Sequence, residues 1–163
     1  YHYVSDKYEL LREITEGHVT RLEALVGEVE SLGLAPGPRL RELIRRFVHE
    51  YAQARHDHGV LTQDVKFLEP KDRNRVLRKE RAVVAAFAAT IAQARPELAR
   101  AALDKPLTML LFGMINWMFT WLRPEGGLRH DDMAPIVADL FLGGLGAVNP
   151  PSVTSAASVK APV

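Results

Sequence analysis

Histidines give the chain its most visible opportunity for metal chemistry. His56 and His58 flank Asp57, and His49 stands a helical stretch earlier. Imidazoles and carboxylates are common ligands of transition metals. However, two histidines separated by one residue at a helix end point apart, and no third ligand follows at a helical spacing. We therefore predict no metal site and no cofactor.

Three other polar residues fall on apolar stripes, and each allows two interpretations. His18 is either a hydrogen-bonded structural residue or part of the lining of a pocket. Glu80 either pairs with a basic side chain at the edge of its stripe or stands as a polar group in a cavity. Asn116, in the most apolar segment, is either a satisfied core amide or a polar contact to a ligand.

A run of basic residues could bind phosphate groups. It is diluted by Asp72 and Glu80, so a solvated helix face is the ordinary interpretation. The alternative is a docking surface for the phosphates of a nucleotide-bearing ligand, because arginine binds phosphate with two parallel hydrogen bonds. The run consists of Lys71, Arg73, Arg75, Arg78, Lys79 and Arg81.

Composition excludes several function classes. The 163 residues contain no cysteine, which rules out disulfides, thiolate-bound zinc and cysteine nucleophiles. The net charge of +1 gives no overall basic field of the kind that attracts nucleic acid. The sequence has no serine in a nucleophile elbow, no glycine-rich phosphate loop and no carboxylate pair framed by glycines. We therefore expect that the protein is not an enzyme.

The spacing of apolar residues is helical nearly throughout and predicts an all-α fold. Asp6 is the expected N-cap of a first long helix that ends near Gly33. A second helix follows Pro38, a break is expected at 56–59, and a third long helix begins at Pro70. Shorter and longer helices follow, and no segment alternates with the period of two that strands require.

The segment Pro106–Leu122 is apolar on every side. Its apolar core, Leu107 to Trp121, is too short to span a bilayer and contains Thr108, Asn116 and Thr120. A helix of this kind in a soluble protein is buried on two faces, one against its own core and one against something else. We expect that the protein has no membrane partner and is cytoplasmic.

Two motifs resemble the TetR family of bacterial repressors. The opening residues 1–11 read YHYVSDKYELL, which is similar to the end of the family's recognition helix and the cap of the next helix, with Asp6 in place of the usual serine. Residues 116–128 read NWMFTWLRPEGGL, and residues 139–145 read DLFLGGL. Both resemble a TetR subgroup of which many members respond to coenzyme A thioesters.

The resemblance implies an architecture and a mechanism. Residues 1–4 would be the remnant of a helix-turn-helix domain, 5–147 the ligand-binding and dimerisation domain, and 148–163 a disordered tail. Pro106–Leu122 and Asp131–Gly146 would form a four-helix bundle with their copies in a homodimer. A small-molecule effector, an acyl-CoA thioester, would shift the first helix and release the repressor from operator DNA. On this view residues 1–163 alone do not bind DNA sequence-specifically.

The resemblance also suggests roles for individual residues. Tyr1, Tyr3 and Lys7 would contact the DNA backbone. The phosphates of the effector would contact Arg73, Arg75, Arg78, Lys79 and Arg81. The expected dimer contacts are Met114, Met118, Trp121, Ile136, Leu140, Gly143 and Gly144. From the apolar stripes of four helices, we expect a ligand cavity that comprises His18, Leu22, Leu43, Phe47, Tyr51, Phe87, Met109, Phe112, Gly113, Asn116 and Trp117. The alternative function is a free-standing helical module that dimerises or binds a small ligand without DNA.

Overall fold

The computed structural model describes residues 2–152, which form helices and no strand. A 3₁₀ turn, Val65–Phe67, follows the third helix. None of these helices combines the length and the apolarity that a bilayer crossing requires. The helices are α1 His2–Glu30, α2 Pro36–Gln53, α3 Arg55–Asp64, α4 Pro70–Ala94, α5 Pro96–Arg100, α6 Asp104–Trp121 and α7 His130–Leu145. The all-α prediction is therefore confirmed.

Proline and glycine account for most helix boundaries. Pro36, Pro70 and Pro96 occupy the first turns of α2, α4 and α5, where a missing N–H costs nothing. Gly33 has φ of +62°, a left-handed conformation that ends the chain's first helix with little strain. Gly33 and Pro70 agree with the sequence interpretation, and α2 begins two residues earlier than expected, at Pro36.

Two predicted boundaries are wrong. Asp6 is not an N-cap, because α1 already begins at His2 and runs through Ser5 and Asp6 without a glycine or proline to interrupt it. The expected break at 56–59 lies inside α3, and the actual interruption is one residue, Ala54, with φ of −107° and ψ of 37°. The histidines of that segment are therefore placed by a helix.

The helices α2 and α4 lie at the centre of the packing, because most of the other helices contact one or both of them. α7 packs chiefly on α2, and α6 packs chiefly on α4, while α6 and α7 meet each other at few places. α1 contacts α2, α3 and α4. Fully buried side chains such as Leu40, Phe47, Phe87 and Ile115 form one continuous core. This arrangement leaves one side of α6 free to line a cavity and another side exposed.

The first residues after α7 contact the rest of the protein. Val148 is half-buried against the core, and its carbonyl oxygen accepts a hydrogen bond from Arg95 Nη2 at 3.1 Å. Val148 is the first residue of the predicted tail at 148–163, which stays a prediction. Residues 153–163 lie outside the described residues.

Candidate ligand-binding cavity

A cavity of about 210 Å³, which we name the inner cavity, lies among five helices. Most of its lining is aliphatic or aromatic, with a few polar groups. The lining residues are Val19 and Leu22 of α1, Tyr51 of α2, His58, Leu61 and Thr62 of α3, Glu80, Val83 and Val84 of α4, and Met109, Phe112 and Asn116 of α6. Its exposed members, Thr62, Met109 and Asn116, place the mouth between α3 and α6.

A chain of hydrogen bonds crosses one wall of the inner cavity. Asn116 Oδ1 accepts a hydrogen bond from His58 Nε2 at 2.9 Å. His58 Nδ1 is then left without a proton and accepts one from His18 Nε2 at 3.1 Å. The Tyr51 ring stacks on the His58 ring, with centroids 3.6 Å apart. The wall is therefore a connected set of polar side chains in fixed orientations.

Burial keeps both imidazoles neutral. Desolvation lowers the pKa of His58 to about 4, although the hydrogen bond that His58 donates to Asn116 acts in the opposite direction. Desolvation also lowers the pKa of His18, although the charges of Asp57 and Glu50 act in the opposite direction. The wall consequently presents neutral hydrogen-bonding groups to the cavity near pH 7.

Glu80 and Tyr51 provide the other polar groups of the cavity. Burial raises the pKa of the Glu80 carboxyl, and burial together with the nearby Glu80 charge raises the pKa of the Tyr51 phenol. Beneath the cavity, the Phe87 ring lies 4.9 Å from Phe47 and 4.8 Å from Phe112 between centroids. These edge-on and tilted contacts pack Phe112, which lines the cavity, against two core rings behind it.

Two walls of the cavity, α1 and α4, are tied together by polar contacts that we name the α1–α4 latch. Tyr8 Oη donates to Asp72 Oδ2 at 2.6 Å and accepts from the Glu69 backbone N–H at 3.0 Å. Arg75 Nη1 contacts Glu16 Oε1 at 2.6 Å and Asp72 Oδ1 at 3.4 Å. The latch fixes the N-terminal half of α1 against the helix that carries Glu80.

A second concavity, which we name the outer groove, lies between the exposed sides of α6 and α7. It has a volume of about 340 Å³, and all its lining side chains are apolar. It is larger than the inner cavity, but it lacks groups that could orient a small molecule. The lining residues are Leu107, Leu110, Met114, Leu140, Phe141, Gly144, Leu145 and Val148.

Comparison with known families assigns this architecture. Residues 33–145 match the family described as "Tetracyclin repressor-like, C-terminal domain". The chain belongs to the TetR family. TetR proteins are transcriptional regulators, and the matched region contains α2 to α7.

Solved TetR structures share the fold. A TetR-family transcriptional regulator from Bordetella parapertussis is 30% identical, with a TM-score of 0.79 over 88% of this chain and 75% of that one. PfmR from Thermus thermophilus is 22% identical, with a TM-score of 0.73 over 88% and 79%. AibR in complex with isovaleryl coenzyme A and operator DNA is 20% identical, with a TM-score of 0.67 over 93% and 79%. No curated protein matches the chain significantly.

The residues predicted to bind ligand separate into three groups. Leu22, Tyr51, Met109, Phe112 and Asn116 line the inner cavity, and His18 reaches it through His58. The core residues Leu43, Phe47 and Phe87 are fully or almost fully buried and do not line it. The exposed residues Gly113 and Trp117 are not part of the lining either.

Gly113 and Trp117 require a correction. A Cβ added at Gly113 would meet no atom within 4 Å, and Trp117 is 68% exposed. Their helical positions turn them toward the exposed stripe of α6 that contains Leu110 and Trp121. A leucine at position 113 would therefore not block the inner cavity.

The sequence interpretation missed Val19, His58, Leu61, Thr62, Val83 and Val84. Three of these lie on α3, whose short pattern gave no clear period.

For Glu80 the structure favours the second alternative, because it lines the cavity and makes no ion pair within residues 2–152. His49 contacts Asp131, and no group of three potential metal ligands occurs in that range.

The basic run on α4 is dispersed around the helix. Arg75 is occupied by the latch, and Lys79 Nζ donates to Thr20 Oγ1 at 2.7 Å. Arg78 is exposed on the side of α4 away from Glu80, whereas Arg73 lies two turns before Glu80 on the same side. Arg81 is exposed one residue after Glu80. Arg73 and Arg81 are therefore better placed near the cavity than Arg78.

The residues predicted for DNA and dimer contacts are mostly exposed. Tyr1 lies outside the described residues, while Lys7 Nζ lies 4.4 Å from the centroid of the exposed Tyr3 ring.

The prediction of Met118 as a dimer contact is corrected, because Met118 is 2% exposed and faces the core of its own chain. The remaining predicted dimer residues are exposed or half-buried, namely Met114, Trp121, Ile136, Leu140, Gly143 and Gly144.

Proposed function

We propose that this chain is the effector-binding and dimerisation part of a TetR-type repressor that an acyl-CoA thioester releases from DNA. The inner cavity carries this proposal, because it is mainly apolar, has a mouth at the surface and contains a few oriented polar groups. The isovaleryl coenzyme A complex of AibR supports it as an analogy of fold at 20% identity.

The size of the inner cavity limits what can enter it. Small-molecule pockets usually have volumes of about 300–1,000 Å³, and the inner cavity has about 210 Å³. A short or medium acyl group fits such a space, and the nucleotide half of coenzyme A must then remain outside. Arg73 on α4 and Lys105, one turn before Met109 on α6, are exposed or half-buried cations on the sides of their helices that face the mouth.

Contacts between the inner cavity and α1 support the release step of this proposal. Val19 and Leu22 of α1 touch the cavity, and the latch joins the same helix to α4. A ligand that separates α1 from α4 would act against the latch and tilt the N-terminal half of α1. In a repressor of this architecture, that half leads to the DNA-binding unit, so the ligand and the operator would favour different states of the protein.

The outer groove is proposed as the centre of a homodimer interface. Leu110, Trp117 and Leu140 are each more than 60% exposed, and together with the groove they form a continuous apolar surface. A stable dimer would bury roughly 1,200 Å² or more in total. The twofold operation would place α6 and α7 against their copies.

Isothermal titration tests the effector class. The protein is titrated with octanoyl-CoA, octanoic acid and free coenzyme A. We expect octanoyl-CoA to bind most tightly, because only the thioester offers both an apolar chain and phosphates. Arg73→Glu should weaken octanoyl-CoA more than octanoic acid, while Arg78→Glu, on the far side of α4, is the matched control. Equal affinity for the acid and the thioester would exclude coenzyme A recognition.

A further inference from the structure

Two polar groups of the inner cavity have no partner within residues 2–152. The Tyr51 hydroxyl makes no hydrogen bond there, and the Glu80 carboxylate makes neither a hydrogen bond nor an ion pair. Tyr51 is 3% exposed and Glu80 is half-buried, and both line the cavity. Neither group is sealed in the core, so both are open to the cavity. A ligand that displaces water from them without offering a hydrogen bond is therefore disfavoured.

The other polar groups of the lining are already engaged. Both ring nitrogens of His58 have partners, and the Asn116 side-chain oxygen accepts one of those hydrogen bonds. The Thr62 hydroxyl donates to the His58 carbonyl oxygen at 3.0 Å. Asn116 keeps its amide N–H donors and Thr62 keeps its acceptor capacity, but both residues are exposed at the mouth. Away from the mouth, the capacity for new hydrogen bonds is concentrated at Tyr51 and Glu80, on the adjacent helices α2 and α4.

A plain hydrocarbon chain would fit this site poorly. It would displace water from Glu80 and Tyr51 and provide nothing in return, which is the situation that buried polar groups avoid. A ligand that satisfies both groups needs one donor for the carboxyl oxygen and one acceptor for the phenol. A single hydroxyl group provides both.

We infer that the inner cavity selects a hydroxylated acyl group, whose hydroxyl donates to Glu80 and accepts from Tyr51. This inference rests on the proposed function, because it specifies the chemistry of the effector for the same cavity. Glu80 and Tyr51 are then the residues that determine specificity, and the aliphatic and aromatic lining provides most of the contact area.

An ammonium group is a weaker match for the same site. It brings three donors and a full charge, whereas Glu80 is the one acidic side chain in the lining described for the cavity. Burial raises the pKa of that carboxyl, because the cavity solvates charge poorly. The neighbouring groups, Tyr51, His58 and Asn116, are neutral near pH 7.

The inference is tested by titrating octanoyl-CoA, 3-hydroxyoctanoyl-CoA and 8-hydroxyoctanoyl-CoA into the protein. We expect one hydroxylated form to bind about 10- to 100-fold more tightly than octanoyl-CoA. Glu80→Leu should reverse this preference, since the plain chain then meets an apolar wall. Glu80→Gln, which can still accept a hydrogen bond, should retain part of it, and Tyr51→Phe should reduce it severalfold.

Glu23→Leu is the matched control, because it makes the same change on the exposed side of α1, outside the inner cavity. Circular dichroism melting verifies that each variant is folded. Equal affinity of the wild-type protein for the plain and hydroxylated chains overturns the inference. A hydroxyl preference that survives Glu80→Leu overturns the role of Glu80.

The matching free acids separate this inference from the proposed function. If thioesters bind without hydroxyl discrimination, the inference fails and the acyl-CoA proposal stands. If free hydroxy acids bind better than free plain acids and thioesters do not bind, the acyl-CoA proposal fails and the inference stands. If no member of either series binds, both are overturned.

Discussion

The inner cavity and the outer groove both use α6, yet they are lined by different chemistry. Met109, Phe112 and Asn116 face the inner cavity, where polar groups from three other helices join them. Leu107, Leu110 and Met114 face the outer groove, where every lining side chain is apolar. A small ligand needs a few oriented polar anchors, whereas a helix–helix interface needs apolar area. One helix can therefore serve two kinds of partner.

The largest effect is expected from placing a charge in the outer groove. Leu140→Glu should raise the dissociation constant of the proposed dimer by about 1,000-fold, because the interface would bury two carboxylates in an apolar contact. Leu32→Glu, at an exposed position in the turn after α1, should have no such effect. Sedimentation equilibrium gives both constants. A wild-type protein that is monomeric at micromolar concentration would contradict the proposed role of the outer groove as a dimer interface.

Acid should destabilise the inner cavity specifically. Above pH 6.5 His58 is neutral in both folded and unfolded chains, but below it the unfolded chain binds a proton that the folded protein resists, since its pKa is about 4. The free energy of unfolding should therefore fall by about 2 kcal/mol from this residue between pH 7.5 and pH 5. Urea denaturation should reveal a smaller loss in His58→Gln. His56→Gln, at an exposed position, should keep the full wild-type loss. A loss that is reduced in His56→Gln as much as in His58→Gln would contradict the assignment to His58.

Filling the inner cavity should weaken effector binding without affecting self-association. Val84→Phe places a ring in the lining, and we expect affinity to fall by roughly 10- to 100-fold as the acyl group loses its space. Ala85→Phe adds the same ring on the exposed side of α4 and should change little. Titration calorimetry measures both. Unchanged affinity in Val84→Phe would move the effector site elsewhere, with the outer groove as the next candidate.

The latch should have the smallest effect. Tyr8→Phe removes one donated and one accepted hydrogen bond between α1 and α4 and should lower the melting temperature by only about 2 °C. If the latch opposes effector binding, the same variant should bind the effector more tightly. Tyr3→Phe, 69% exposed on the same helix, is the control. Weaker binding by Tyr8→Phe would show that the latch holds the cavity in its binding conformation.

The long helices were predictable because each carries its own boundary and period. Prolines begin α2, α4 and α5, Gly33 ends α1, and the apolar spacing continues for several turns between them. The helix α6 was also correctly expected to have two apolar sides. Neither the boundaries nor the apolar period of α3 could be predicted, since the helix has only 10 residues and contains Gly59.

The site was predictable only in part because a cavity depends on how helices rotate against one another. Periodicity placed Leu22, Tyr51 and Phe112 on inward sides, but it could not separate the cavity lining from deep core such as Leu43. It also placed Gly113 and Trp117 on the wrong side of α6. The sequence of a helix that is apolar all round does not indicate which side faces the core. The partner of His18 could not be inferred, since 40 residues separate it from His58.

The two exposed indoles on α6 have an optical consequence. Trp117 and Trp121 are the only tryptophans in the sequence, and they are 68% and 53% exposed. Intrinsic fluorescence therefore reports on the exposed side of α6, and not directly on the inner cavity. Self-association through that side would move both indoles out of water and shift their emission to shorter wavelength. An effector that leaves α6 in place would leave the emission unchanged, so the emission maximum would report the proposed dimerisation even while the inner cavity is being filled.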